Sequence, residues 1–199
     1  MSKLNIGLII ILVVLLLIAK QDSAQISIVK EAQPRPTVIP TPTEIPVANP
    51  VRFILPRIAV DAPIEAVGAD HEGKMLLSTE LDKVGWYKDA FKPGQKGNAV
   101  IAGHLDSATG IGAIFYNLSI VEPGDIMDVV SEDGTTYTFV VTAKATYPYD
   151  EVPSELVFGK SDEKHLNLVT CTGFWNPSTQ NYSHRMLIYT NLISKTQYP

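Results

Sequence analysis

Short apolar segments separated by turn residues make up the chain from Val51 onward, and this pattern constrains the fold more than any other feature. The segments are rich in β-branched and aromatic residues and are bounded by Gly, Pro, Asp and Ser, as is typical of strands. Strands are predicted at 52–60, 62–67, 75–77, 98–103, 126–131, 135–147, 165–171 and 186–193.

The aromatic cluster at 84–87 is expected to form a wall of the core, and helical turns are expected at 112–118 and 152–158. About eight short strands with one or two small helices predict an all-β domain closed, or nearly closed, into a barrel. We assign this domain to residues 51–199.

The first twenty residues differ sharply from this domain. An apolar run from Leu4 to Ala19 lies between Lys3 and Lys20. It is shorter than the roughly 20 residues that cross a bilayer comfortably, but the flanking lysine can reach the interface. We therefore expect residues 1–20 to be an uncleaved signal anchor, with a cleaved signal peptide as the alternative. Either interpretation makes the protein exported, and the first predicts a single-pass protein of the cell membrane with its domain outside.

Residues 21–50 form a proline-rich linker. Prolines interleaved with Thr, Val, Ile and Glu prevent helix formation and favour extended polyproline II. If residues 1–20 are an anchor, such a segment would hold the domain away from a membrane surface. A merely disordered tail would have the same composition. The prolines are Pro34, Pro36, Pro40, Pro42, Pro46 and Pro50.

Composition excludes some function classes. The net charge is −5 and no basic stripe is present, so nucleic acid is not an expected partner. A single cysteine permits no internal disulfide. His71, His165 and His184 lie in unrelated segments without ligand spacing, so we predict no metal and no cofactor.

Three side chains that could perform chemistry lie at ends of predicted strands. Cys171 ends one strand, a thirteen-residue polar loop from Thr172 to His184 follows, and Arg185 begins the next strand. If these strands pair as antiparallel neighbours, the thiol and the guanidinium lie close together. His104 ends the strand at 98–103. If that strand runs parallel to the one ending at Cys171, all three side chains meet at one rim.

Each of these residue types suits acyl transfer without a metal. A thiolate is the nucleophilic form of cysteine, and a nearby cation favours it. Arg185 stays protonated and can hold a developing oxyanion, while His104 can shuttle a proton. Asp106 could orient the imidazole or merely cap its loop. Taken singly, the thiol reads as structural, the histidine as a loop hydrogen-bonding group and the arginine as a surface cation.

Several motifs, in their combined order, resemble those of the sortase family. The segment Asn167-Leu168-Val169-Thr170-Cys171 fits the family's T-L-x-T-C form, with Asn at the first place. The other motifs are Asn98-Ala99-Val100-Ile101-Ala102-Gly103-His104, Phe115-Tyr116-Asn117-Leu118, Pro123-Gly124-Asp125 and the later Arg185. Val60-Asp61-Ala62-Pro63-Ile64 and Gly85-Trp86-Tyr87 are most similar to class F, with classes D and E close behind.

The resemblance implies an eight-stranded sortase-type β-barrel on the outer face of a Gram-positive-type envelope. In this family a cysteine attacks the Thr–Gly bond of an LPXTG-like sorting signal on a secreted protein, and an amine resolves the acyl-enzyme. Carried over by position, Cys171 is the nucleophile, His104 the general acid and base, and Arg185 the donor to the oxyanion or substrate carbonyl. Thr170 is a further candidate for holding the oxyanion.

The acceptor amine implied by the resemblance belongs to a cell-wall peptide or to a pilin-like lysine. Some sortases bind calcium, but the acidic residues Asp70, Glu72, Glu80 and Asp82 form no ligand pattern here. Two other functions remain open from the sequence. One is a cysteine peptidase that uses the same site with water as acceptor, and the other is a non-catalytic envelope-binding module with an inert thiol.

Overall fold

A computed structural model of the chain describes residues 46–197, and within this range eight strands close into a barrel. The order around the barrel is β1-β2-β3-β4-β7-β8-β6-β5, which confirms the predicted eight-stranded, mostly β architecture. The strands are β1 (Pro50–Leu55), β2 (Val60–Val67), β3 (Val84–Tyr87), β4 (Gly97–Ala102), β5 (Ile126–Ser131), β6 (Thr135–Pro148), β7 (Lys164–Asn176) and β8 (Asn181–Gln197).

Some predicted elements take a different form. The strand predicted at 52–60 is interrupted by a 3-10 turn at Pro56–Ile58, which ends where Ala59 adopts a left-handed φ of 54°. Proline has no N–H to donate to a ladder, so the strand ends before it. The segment at 75–77 contributes only an isolated bridge between Ala69 and Met75, whereas the aromatic cluster is itself the strand β3.

The two predicted helical segments also differ in outcome. The second contains a short helix, α1 (Ser154–Phe158), as expected. The segment predicted as helical at 112–118 is mostly turn, and only its last residue belongs to a 3-10 helix, which covers Leu118–Ile120.

Two apolar clusters lie on opposite faces of the wall formed by β4, β7 and β8. Ala99, Ile101, Leu166 and Leu168 point into the barrel and join its main core. Alternate residues of the same strands point outward, because successive side chains of a strand face opposite sides. The outward-facing cluster is formed by Val100, Leu187 and Val157 of α1, with partly buried neighbours that include Val169.

The β7–β8 hairpin is longer than the sequence predicted. The prediction of a polar loop at 172–184 is wrong, because β7 continues to Asn176 and β8 starts at Asn181. A register shift between Thr172 and Trp175 accommodates the irregularity. The pairing is held by an edge-on contact of the Trp175 and Tyr182 rings, with centroids 5.3 Å apart. Cross-strand aromatic contacts of this kind stabilise the pairing of two strands.

The folded domain begins a few residues before Val51. Val47 packs against the main core, and its carbonyl accepts a 3.0 Å hydrogen bond from Lys92 Nζ. The carbonyl of Asn49 accepts a bond from the Glu132 N–H at 2.9 Å. The end of the segment that we assigned to the linker is therefore part of the domain.

The expected anchor at residues 1–20 and most of the linker lie outside the described residues. From residue 46 to residue 197, no helix is long and apolar enough to cross a membrane.

Candidate active site

Three neighbouring strands bring Cys171, His104 and Arg185 together. β7 and β8 are antiparallel, and Cys171 lies directly opposite Arg185. β4 and β7 are parallel, with Ala102 opposite Val169. Continuing this register by two residues sets His104 beside Cys171. The strand directions predicted from the sequence are thus confirmed, and alternation places all three side chains on the outward face of the wall.

The imidazole of His104 is held by a backbone group. Its Nε2 lies 2.8 Å from the carbonyl oxygen of Ser78. A carbonyl only accepts hydrogen bonds, so Nε2 carries a proton in this contact and the neutral ring keeps its lone pair on Nδ1. No hydrogen bond joins this imidazole to the Cys171 sulfur in the part of the chain that the structure describes. Catalytic contacts are often long before substrate binds.

Asp106 does not orient the imidazole. Its Oδ2 accepts a 2.5 Å hydrogen bond from the hydroxyl of Tyr182, while the contact to the ring comes from Ser78. Sequence reasoning missed Ser78 because the contact uses a backbone carbonyl, which no residue type reveals. It also missed Tyr182, which lay in the predicted polar loop.

The guanidinium of Arg185 is fixed by neutral acceptors. Nη1 donates to the carbonyls of Tyr182, at 3.2 Å, and His184, at 3.0 Å, and Nη2 donates to Asn181 Oδ1 at 2.7 Å. The Tyr149 ring lies 5.9 Å from its central carbon, within the range of a cation–π contact. No carboxylate forms a salt bridge with Arg185 within residues 46–197, so these contacts orient the cation without neutralising it.

Thr170 aligns two strands rather than pointing at a reacting oxygen. Its side chain is buried, and Oγ1 donates a 2.8 Å hydrogen bond to the Gly103 carbonyl. The N–H of Gly103 in turn donates to the Val169 carbonyl at 3.1 Å. The hydroxyl proton is therefore already used, and the expectation that Thr170 holds the oxyanion does not fit this arrangement. Its bond instead ties the residue before Cys171 to the residue before His104.

Burial governs the acidity of the partly exposed Cys171 thiol. Burial raises its pKa above the ordinary value, the negative charge of Asp106 raises it further, and Arg185 acts in the opposite direction. The sequence predicted that the cation would favour thiolate. That effect is present, but the loss of solvation outweighs it. The raised pKa favours the thiol over the thiolate, so Cys171 must lose a proton before its sulfur can act as a nucleophile.

The Asn that departs from the T-L-x-T-C motif has a clear structural role. Asn167 is buried, and its Nδ2 donates to Asn98 Oδ1 at 3.1 Å and to the Val157 carbonyl at 2.9 Å. Asn98 Nδ2 donates to the Gly159 carbonyl at 2.9 Å. The two amides therefore fasten α1 and the residue that follows it to the outer face of β4 and β7.

Possible metal ligands are dispersed. No group of three or more His, Cys, Asp or Glu side chains that could hold a metal ion occurs between residues 46 and 197.

Solved structures similar to this chain are sortases. The sortase C1 of GBS Pilus Island 1 is 26% identical with a TM-score of 0.55, and the match covers 72% of this chain and 65% of that chain. The chain thus spans slightly less than two thirds of that protein's length. The Streptococcus agalactiae sortase C1 in complex with MTSET is 25% identical with a TM-score of 0.57, covering 76% of this chain and 72% of that chain.

The fold also matches that of Listeria monocytogenes sortase A, at 16% identity and a TM-score of 0.58, over 77% of this chain and 92% of that chain. At this identity the likeness concerns the fold alone. No curated protein shows significant similarity to the chain.

The family match covers most of the domain. Residues 54–193 match the Sortase domain, a range that includes the three side chains at the rim of the barrel and six whole strands, β2 to β7. The chain therefore belongs to the sortase family.

Proposed function

We propose that this protein cleaves an LPXTG-like sorting signal at the Thr–Gly bond and transfers the acyl group to an amine. The observation that carries this proposal is the direct pairing of Cys171 with Arg185, with His104 at the end of the adjacent parallel strand. A nucleophile, a proton carrier and a fixed cation on one exposed face are the parts that acyl transfer requires.

The first half-reaction forms an acyl-enzyme. The Cys171 thiol gives its proton to His104, and Nδ1 is the nitrogen that suits this exchange because Nε2 is bound to Ser78. The sulfur attacks the threonyl carbonyl, and the resulting oxyanion is stabilised by the Arg185 guanidinium. When the C–N bond breaks, the imidazolium returns the proton to the departing glycine amine.

The second half-reaction reverses these roles. An incoming amine attacks the thioester carbon, loses a proton to His104, and the sulfur leaves with restoration of the thiol. His104 therefore accepts a proton and then returns one in each half, and the raised pKa of the Cys171 thiol favours such a proton-accepting partner. Arg185 needs no reorganisation in either half, since Tyr182, His184 and Asn181 already orient it.

We further propose that the substrate belongs to secreted proteins, and that the acceptor is the amine of a cell-wall peptide or a pilin-like lysine. An anchor at residues 1–20 would make the enzyme a single-pass membrane protein with an extracellular domain, and the proline-rich linker would act as a spacer. These assignments are supported by the apolar run and proline spacing. Assignment to class F is supported by the motifs at 60–64 and 85–87.

A peptide assay separates the candidate functions. An LPXTG-like peptide library is incubated with the protein, with and without a glycine peptide as amine, and products are identified by mass. Transpeptidation yields the ligated product only when amine is present, and a covalent adduct on Cys171 identifies the acyl half.

The other outcomes are equally specific. Cleavage that ignores the added amine would assign the protein as a hydrolase with the same site. No cleavage and no adduct, for the native chain as for Cys171→Ala, would leave the non-catalytic envelope-binding module.

A further inference from the structure

Two chain segments flank the site, one carrying His104 and the other carrying Arg185. The first is the loop after β4, which forms a small hairpin of its own through the bridge between Asp106 and Gly112. Within it the Ser107 N–H donates to the Ile111 carbonyl at 2.8 Å. The second is the hairpin of β7 and β8, which turns at 177–180.

Tyr182 contacts functional groups of both segments. Its hydroxyl donates to Asp106 Oδ2 at 2.5 Å, and its carbonyl accepts from Arg185 Nη1 at 3.2 Å. Its ring packs edge-on against Trp175 of the paired strand, which fixes the direction of the hydroxyl. Tyr182 thus binds the loop that follows His104 through its side chain, and it binds the Arg185 guanidinium through its backbone carbonyl.

We propose that Tyr182 is a positioning residue for acyl transfer, and that its bond to Asp106 holds the His104 loop in register with Cys171 and Arg185. This inference rests on the proposed function. The bond is the only side-chain hydrogen bond that the structure describes between the segments 105–113 and 171–185. Without it, the loop is free to move relative to the hairpin while the bond from Ser78 still holds the imidazole ring.

The hydrogen bond between Tyr182 and Asp106 joins a phenol to a carboxylate, a combination that persists across the physiological pH range. A hydrogen bond to a carboxylate is stronger than one between neutral groups. The bond to Asp106 raises the pKa of Tyr182 to about 12, so the phenol remains a donor across the physiological range. Geometrical misplacement of a catalytic group by even a small distance is costly, because the reacting atoms must be close and aligned.

The first test is Tyr182→Phe, which removes the hydroxyl and keeps both the ring and the carbonyl that Arg185 uses. We expect kcat to fall about 10-fold, the scale of one lost hydrogen bond to a charged group, with KM changed less than about 2-fold. Hydrogen exchange of the amides at 105–113 should become faster in the resting protein. Tyr87→Phe, which removes a tyrosine hydroxyl from β3, on the far side of β4 from β7, is the matched control and should change neither quantity.

The second test asks whether the two residues act as a pair. Asp106→Asn keeps an oxygen that can accept from Tyr182 and should retain more activity than Asp106→Ala. Adding Tyr182→Phe to Asp106→Ala should cause no further loss of kcat. Additive losses, or native kcat and native exchange in Tyr182→Phe, would overturn the inference. The exchange measurement needs no substrate, so a failure of the proposed function and a failure of this link give different results.

Discussion

At the scale of single residues, the candidate reactive side chains are distinct from the residues that orient them. Cys171 is partly exposed and the pKa of its thiol is raised by burial, while Arg185 is fixed by three neutral oxygen acceptors. The sequence identified the reactive residue types correctly as candidates. It did not identify Ser78 or Tyr182, which hold them, because backbone carbonyls and cross-strand neighbours have no signature in the sequence.

The first prediction concerns the shape of the Arg185 side chain. Arg185→Lys keeps a positive charge but replaces a planar fork with a single ammonium, which cannot satisfy three acceptors and also face an oxyanion. We expect kcat/KM for peptide transfer to fall about 100-fold, in the range of a lost oxyanion donor. Arg52→Lys, on β1 in an exposed ion pair with Asp61, is the matched control. Native turnover in Arg185→Lys would remove the guanidinium from the mechanism.

The second prediction concerns the raised pKa of the thiol. Alkylation by iodoacetamide requires thiolate, so its rate should rise with pH to a midpoint above that of an ordinary cysteine. Asp106→Asn removes a negative charge and should lower the midpoint, while Arg185→Met removes a positive charge and should raise it. Cys171 is the only cysteine, so mass spectrometry reports it without ambiguity. A native midpoint below the ordinary value would contradict the burial argument.

At the scale of elements, alternation along three strands determines which groups share a face. Val100, Val169 and Leu187 point outward under α1, and the same face continues to the candidate site. The strands predicted at 98–103 and 165–171 have the inward and outward alternation that the structure shows. The predicted polar loop after Cys171 was wrong, because its Asn, Pro, Ser and Gly residues resemble a loop until the Trp175 and Tyr182 rings meet across the strands.

The third prediction tests the attachment of α1. Asn167→Ala removes two donated hydrogen bonds and leaves Asn98 Oδ1 and the Val157 carbonyl without this partner. Unpaired buried groups are costly, so we expect the free energy of unfolding to fall by about 1–3 kcal/mol. Denaturant unfolding measures it. Exposed Asn117→Ala should change stability by less than about 0.5 kcal/mol, and an equal effect of both variants would refute the buried amide network.

At the scale of the whole molecule, the barrel is closed by pairings between strands far apart in the chain. β1 pairs with β5, β4 pairs with β7, and β6 pairs with β8. Closure leaves no open sheet edge among β1 to β8 and holds the rim on which the candidate site lies. The segment just before β1 adds contacts through Val47 and Asn49, so the domain starts earlier than residue 51.

The fourth prediction follows from these first contacts. A chain that starts at Glu44 should unfold at nearly the same temperature as the full chain. A chain that starts at Val51 loses the packing of Val47 and the bonds from Lys92 and Glu132, and we expect its Tm to fall by about 5 °C. Calorimetry or thermal circular dichroism measures the difference. Equal Tm values would show that these contacts contribute little.

The sequence by itself determined the strand content, the barrel class and the three residue types at the rim, because these depend on local periodicity and on motifs that can be read along the chain. Only the tertiary structure decided that burial outweighs Arg185 in setting the state of the thiol. It alone decided that Ser78 holds the imidazole and that Asp106 bonds to Tyr182 instead. The physical reason is that solvation and hydrogen-bond partners depend on distances between strands, and those distances exist only after the barrel has closed.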